Sequence, residues 1–145
     1  MKAVAVSDAF MVEAYYRKCF AAFPQYDLQV IPFGLPTRAE MRPVNHLIER
    51  GGPYAVEPPE ELCEALRDAD VLMVHMCPVP AKLLDAAPRL KAVLVNRGGM
   101  ENVDIPAATE RGIAVLNNPA HNANSVAELT IALMLSETRN LARTH

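Results

Sequence analysis

Residues 90–128 read LKAVLVNRGGMENVDIPAATERGIAVLNNPAHNANSVAE, and the order of patterns inside this stretch decides the fold. A short apolar run, Ala92 to Val95, is followed at once by the turn Arg97-Gly98-Gly99. Ile105 to Arg111 then reads as a short helix, and Gly112 suits a left-handed C-terminal cap before a second strand, Ile113 to Leu116. An Asn-rich turn follows and opens a long apolar helix over about Asn124 to Arg143. Two strands joined by a helix are the unit of a parallel sheet.

Working outward, the same alternation fills the rest of the chain. Lys2 to Val6, Leu28 to Pro32 and Val71 to His75 are β-rich runs separated by helical patterns. A first helix is expected over about Asp8 to Ala22, with Phe10, Ala14, Cys19 and Phe23 near one face and Pro24 closing it. Pro58-Pro59-Glu60-Glu61 marks a helix start, continued by the apolar stripe Leu62, Ala65, Leu66 and Ala69, and Pro80 to Ala87 reads as another short helix. Phe33 to Pro59 is harder to read. Thr37-x-x-Glu40 has the form of a capping box, whereas Pro43 interrupts the helix it would start. We expect a helix ending at Gly51-Gly52, within a loop-helix insertion on the rim.

Five such strands with right-handed crossovers are expected in the order 2-1-3-4-5, a flavodoxin-like α/β domain with helices on both faces. Ligands of such sheets lie beyond the carboxyl ends of the strands, here the turns after Val6, Pro32, His75, Val95 and Leu116.

Composition narrows the function classes. A chain of 145 residues with 51% apolar content can bury one core, and a net charge of −3 with scattered basic residues gives no footprint for nucleic acid or an anionic membrane. Apolar runs such as Ile131 to Leu135 fall short of the roughly 18 residues of a membrane span, and the early charge at Lys2 does not suit a signal peptide. A cytoplasmic protein is expected. Cys19, Cys63 and Cys77 form no C-x-x-C pair, and His46, His75, His121 and His145 have no metal-ligand spacing, so neither disulfide nor metal is assigned.

Two turns could carry chemistry. Consecutive glycines in Arg97-Gly98-Gly99 let backbone N–H groups approach an anion, although a tight turn needing positive φ would use the same residues. Asn122 to Glu128 combines capping residues with an acid in the first turn, as any helix start can.

Taken together, the Arg-Gly-Gly turn after a buried strand and the N-x-x-S-V-A-E entry to a long apolar helix resemble the D-isomer-specific 2-hydroxyacid dehydrogenases, phosphoglycerate dehydrogenase among them. The resemblance covers Asp70 to Arg143 well, and the first part of the chain by pattern. It implies a substrate domain over residues 1–120 and an interdomain helix over residues 121–145, leading to a cofactor domain with a glycine-rich fingerprint. No glycine follows Gly112, and neither His121 nor His145 matches the family's proton-exchanging histidine. The chain alone is therefore expected to hold no cofactor and to be inactive, while its parent would use NAD or NADP to interconvert a small 2-hydroxy acid and its 2-oxo acid.

By the same resemblance, Arg97, Gly98 and Gly99 would bind the substrate carboxylate and Asn122 would line the active site, with Ser125 as a cap. His75 and Met76 would meet the far end of the substrate, and Val126 would lie near the cofactor. Where phosphoglycerate-type members commonly place Arg-Ser, this chain has His75-Met76, which disfavours a phosphorylated substrate; a histidine simply closing a buried strand is the competing reading. A homodimer through the C-terminal helix is implied. The alternative is a stand-alone flavodoxin-like binding or signalling module, for which Asp8 after the first strand is suggestive, but the third strand lacks an aspartate for phosphorylation.

Overall fold

Alternation along the first strand divides the molecule. In the computed structural model, which describes residues 1–144 apart from the side chain of residue 142, β1 (Lys2–Ser7) sends Val4 and Val6 to one side and Ala3 and Ala5 to the other. It pairs in parallel with β2 (Asp27–Pro32) and β3 (Val71–Val74); β4 (Ala92–Val95) and β5 (Ala114–Asn117) complete a sheet ordered β2-β1-β3-β4-β5. This is the expected flavodoxin-like order.

The two sides are filled unequally. On the Val4 and Val6 side lie α2 (Arg38–Gly51), α3 (Glu60–Ala65), α4 (Ala81–Asp85) and α5 (Ile105–Glu110), which contribute Met41, Ile48, Leu62, Leu83, Leu84, Ala107 and Ala108 to the main core. The other side carries α1 (Glu13–Phe20), whose Tyr16 packs with Ala3, Ala5 and Met73 in a smaller cluster. Small alanines on that side leave room for the phenol, whose hydroxyl donates to Val6 O and accepts from Asn96 Nδ2. Burial there pushes the Tyr16 hydroxyl up to about 12.

Three expectations are corrected. The first helix begins at Glu13 because the Asp8 carboxylate accepts the N–H groups of Phe10 and Met11 and closes a separate turn. Its buried face is therefore set by Tyr16, while Cys19 is exposed and Phe23 is 51% exposed. Secondly, α2 is no rim insertion. Thr37 and Glu40 form both bonds of the capping box, the helix continues through Pro43, and Met41 and Ile48 are completely buried. Pro43 removes one N–H from the helical ladder, and the two core side chains outweigh that loss. Finally, α6 (Ala123–Thr138) begins one residue earlier than expected, so Ser125 is the third helical residue and caps nothing; Asn140, with φ of 53°, separates the helix from a 3-10 turn over Leu141–Arg143.

Gly112 matches its expected role. At φ of 66° it lets its own N–H reach Thr109 O while Ile113 N–H reaches Ala108 O, which turns the chain directly into β5. No helix among the described residues is long and apolar enough to cross a membrane.

Candidate functional site

The carboxyl ends of β3 and β4 and the start of α6 enclose a cleft of about 390 Å³, lined by Phe10, Asn45, Glu49, His75, Met76, Arg97, Gly98, Gly99, His121 and Asn122. Six of these residues come from the sequence reading: His75, Met76, Arg97, Gly98, Gly99 and Asn122. Val126 does not join them; it lies on α6 with 53% of its surface exposed. Hollows of about 280 and 380 Å³ with mostly apolar walls occur elsewhere, but this one gathers the polar groups at the sheet's ligand-binding end.

Hydrogen bonds hold the Arg97–Gly99 turn from behind. Asn118 N–H donates to Arg97 O at 3.0 Å, and Asn117 Nδ2 donates to Gly98 O at 2.6 Å. With both carbonyls bound toward β5, the turn keeps a fixed path, and the N–H groups of Gly98 and Gly99 donate to no protein acceptor among the described residues. Donors that are free in a concave site suit an anion.

Arg97 is more constrained than its sequence suggested. Its side chain is 16% exposed, and the guanidinium lies 3.3 Å from Glu49 and 3.4 Å from Glu101, with Nη1 2.9 Å from Met76 Sδ. Two carboxylates more than balance its charge, so Arg97 ties α2, the β3 loop and the β4 turn together.

His75 stands at the end of β3 with Nδ1 2.8 Å from Asp8 Oδ2, its ring packed 5.7 Å from that of Phe10. Asp8 is buried, and its other oxygen accepts Phe10 N–H at 2.8 Å and Met11 N–H at 2.7 Å. Burial alone would raise the Asp8 carboxyl, but hydrogen bonds from His75, Met11 and Phe10 prevail and hold it below its ordinary value. Asp8 is thus an ionised acceptor at neutral pH. Beneath this pair, burial drives the Cys77 thiol well above the usual cysteine range, which leaves it inert rather than nucleophilic.

Asn102, fully buried, donates from Nδ2 to Cys77 O at 2.9 Å and to His75 O at 3.4 Å, locking the β3 loop against the β4 turn. Asn45 has a buried Oδ1 without a partner beside the same cleft. Asp8, Asn45, Glu49, Asn102, Asn117 and His121 were not recognised as site residues from sequence. Only Asp8, at the end of a strand, and the Asn117-Asn118 pair, after another, gave a local signal.

Among the described residues no glycine-rich turn opens directly into a helix. Pyrophosphate recognition needs a glycine-rich turn opening directly into a helix. Gly98-Gly99 instead leads through a non-helical loop to α5, and α6 opens at Asn122 with no glycine nearby. Nor does any cluster of three or more His, Cys, Asp or Glu among the described residues have the placement to hold a metal ion.

Fold and cleft together define an open α/β domain with a polar cleft at its strand ends. The profile of the D-isomer specific 2-hydroxyacid dehydrogenase catalytic domain matches residues 44–144, and the chain belongs to that family. It is 45% identical over 83 residues to a D-3-phosphoglycerate dehydrogenase of Methanocaldococcus jannaschii, a match covering 57% of this chain and 16% of that protein. A glyoxylate reductase of Thermofilum pendens is 40% identical over 83 residues, covering 57% of this chain and 24% of the relative. The matched stretch thus spans a quarter or less of these relatives. The crystal structure of a Staphylococcus aureus NAD-dependent formate dehydrogenase in complex with NAD superposes with a TM-score of 0.69 at 22% identity, covering 100% of this chain and 39% of that one, and shows the shared fold.

Proposed function

We propose that this chain is the substrate-binding part of an NAD(P)-dependent oxidoreductase that interconverts a small D-2-hydroxy acid and its 2-oxo acid. The observation that carries this reading is that Gly98 and Gly99, whose N–H groups donate to no protein acceptor among the described residues, line a cleft that also gathers His75, Met76, Arg97 and Asn122. The substrate carboxylate binds these N–H groups, Arg97 holds the turn that carries them, and Asn122 orients the ligand from the start of α6. Residues 1–120 act as the substrate domain and residues 121–145 as the helix toward a cofactor domain, with α6 also forming a homodimer contact. The 145-residue chain by itself neither retains NAD(H) nor turns over substrate, because it lacks a turn for the pyrophosphate. Hydride and proton transfer are assigned to none of its residues. Free thiols at Cys19, Cys63 and Cys77 suit a reducing, cytoplasmic setting.

The test is an amide NMR titration with pyruvate and glyoxylate, alongside NADH fluorescence. Gly98 and Gly99 resonances shift with the carboxylates, and NADH fluorescence is unchanged by the chain. Shifts elsewhere with both glycines unmoved would overturn the carboxylate assignment, and micromolar NADH binding would overturn the division of labour.

A further inference from the structure

His75 shares the cleft of the carboxylate-binding turn, and the function proposed above gives its partner Asp8 no part. Asp8 is anchored as few surface carboxylates are: its side chain is 1% exposed and its two oxygens accept three hydrogen bonds, two from backbone N–H groups and one from His75 Nδ1. An acceptor-only carboxylate at 2.8 Å requires the proton to sit on Nδ1, whatever the overall charge of the ring. The neutral imidazole therefore carries its lone pair on Nε2. No protein group among the described residues hydrogen-bonds Nε2, and His75 forms part of the cleft wall whereas Asp8 does not.

We propose that Asp8 is a positioning residue that fixes His75 as a hydrogen-bond acceptor, and that His75 Nε2 selects 2-oxo and 2-hydroxy monocarboxylates bearing a hydroxyl on the carbon beyond C2. The inference rests on the carboxylate lying at Gly98 and Gly99, which places the far end of a small acid toward the other wall of the same cleft. A hydroxyl there donates to Nε2; a methyl group has nothing to offer it and leaves it desolvated and unpaired.

Charge around the ring decides against an anionic tail. Glu49 lines the cleft from α2, and it and Glu101 of the β4 loop both pair with Arg97, so two carboxylates meet one guanidinium before the Asp8 carboxylate is counted; His121 on the cleft wall has its Nδ1 3.2 Å from Asn118 O. Arg38 lies over the Phe10 ring at 5.4 Å and donates to Ala9 O. A second carboxylate or a phosphate would enter this surplus of negative charge without a free cation to meet it. Phe10 packs against His75 and closes the wall, leaving the ring little freedom to turn its nitrogens.

The experiment compares D-glycerate, D-lactate and D-malate binding to this chain at about pH 8, above the ordinary histidine range, using the Gly98 and Gly99 amides and the His75 ring nitrogens as reporters. Glycerate is expected to bind about fivefold more tightly than lactate, as one net hydrogen bond provides, and more tightly than malate. His75→Phe retains the stacking on Phe10 and should abolish the glycerate preference while lactate binding persists. Asp8→Asn keeps an acceptor for the turn and should move the ring proton from Nδ1 to a mixture of tautomers, visible in the nitrogen shifts, with partial loss of the preference. Equal binding of glycerate and lactate with both glycine amides shifting would overturn this inference and leave the carboxylate site standing. Tightest binding of malate would also overturn it. Unmoved glycine amides with every acid would remove the carboxylate site, and the inference with it.

Discussion

Asp70 shows what one carboxylate does at the end of the sheet away from the cleft. Its side chain accepts Lys2 N–H at 3.0 Å and Lys91 Nζ at 2.9 Å, with Arg89 at 3.6 Å, while its own backbone joins β1 to β4 through Lys2 O and Lys91 N–H. The Lys91 side chain first, and then the Lys2 N–H, hold this carboxyl at about 2. An unfolded aspartate titrates near ~3.9. Because the folded value is the lower one, the stabilisation is complete above the unfolded value and is lost as pH falls through it toward about 2. Urea unfolding followed from pH 5 downward to the acid limit should steepen over that window, and Asp70→Asn should flatten the dependence there. An unchanged slope in the variant would mean that other carboxylates drive acid unfolding. Residue-level reading of the sequence located Arg97, Gly98 and Gly99 where the signal was local: they follow β4 directly and line the cleft. It failed for Asp8 with His75, and for Asn102 with Cys77, because partners 67 and 25 positions apart meet only after the sheet has assembled. It also misjudged how far Arg97 is free, since Glu49 arrives from α2, an element that the sequence reading had set on the rim.

Among the elements, α2 carries the clearest conflict between local and tertiary signals. Thr37 accepts Glu40 N–H, and Glu40 reaches back to Thr37, so the start is well specified. Pro43 argues for a stop, yet Ile48 lies beyond it and is completely buried. Helix propensity therefore yields to burial: one lost hydrogen bond costs less than leaving Ile48 in water. Ile48→Ala should destabilise the fold by about 2–5 kcal/mol, the range for deleting a buried aliphatic side chain, and Thr37→Ala by about 1 kcal/mol through loss of the cap. Chemical denaturation of both variants checks the ordering, and a costlier Thr37→Ala would mean that α2 contributes through its cap rather than its core face. A sequence reading without tertiary contacts had no means of weighing these terms. The same limit explains α1, whose register depends on the Asp8 turn and on the space left by Ala3 and Ala5. Strands were easier, because five apolar runs bounded by turns leave few sheets to consider and right-handed crossovers select their order.

For the whole molecule, the decisive asymmetry lies between a filled core and an uncovered helix. Every side of the sheet facing α2 to α5 is packed, whereas α6 buries none of its residues. Val126, Leu129, Ile131, Leu133, Met134 and Leu135 are each 53–62% exposed, and Leu116 at the end of β5 is 51% exposed. These side chains lie around the helix rather than along one stripe, so no rotation of α6 against its own domain could cover them all. Apolar surface on the order of several hundred Å² in one patch exceeds what isolated domains usually leave in water. The chain should therefore self-associate through α6, most simply as a twofold pair of helices burying the same residues from each partner. Sedimentation equilibrium over a dilution series should give a mass above one chain and a concentration-dependent dissociation. Leu129→Glu with Leu133→Glu should shift the chain to monomer while leaving the thermal unfolding of the sheet domain intact, because neither residue contributes to its core. A wild-type chain that stays monomeric with α6 helical would show that the exposed residues are tolerated in water. A double variant that stays associated would move the contact to the other apolar surface, the hollow formed by Phe20, Phe23, Tyr26, Met73 and Leu94 on the side of the sheet that α1 alone covers.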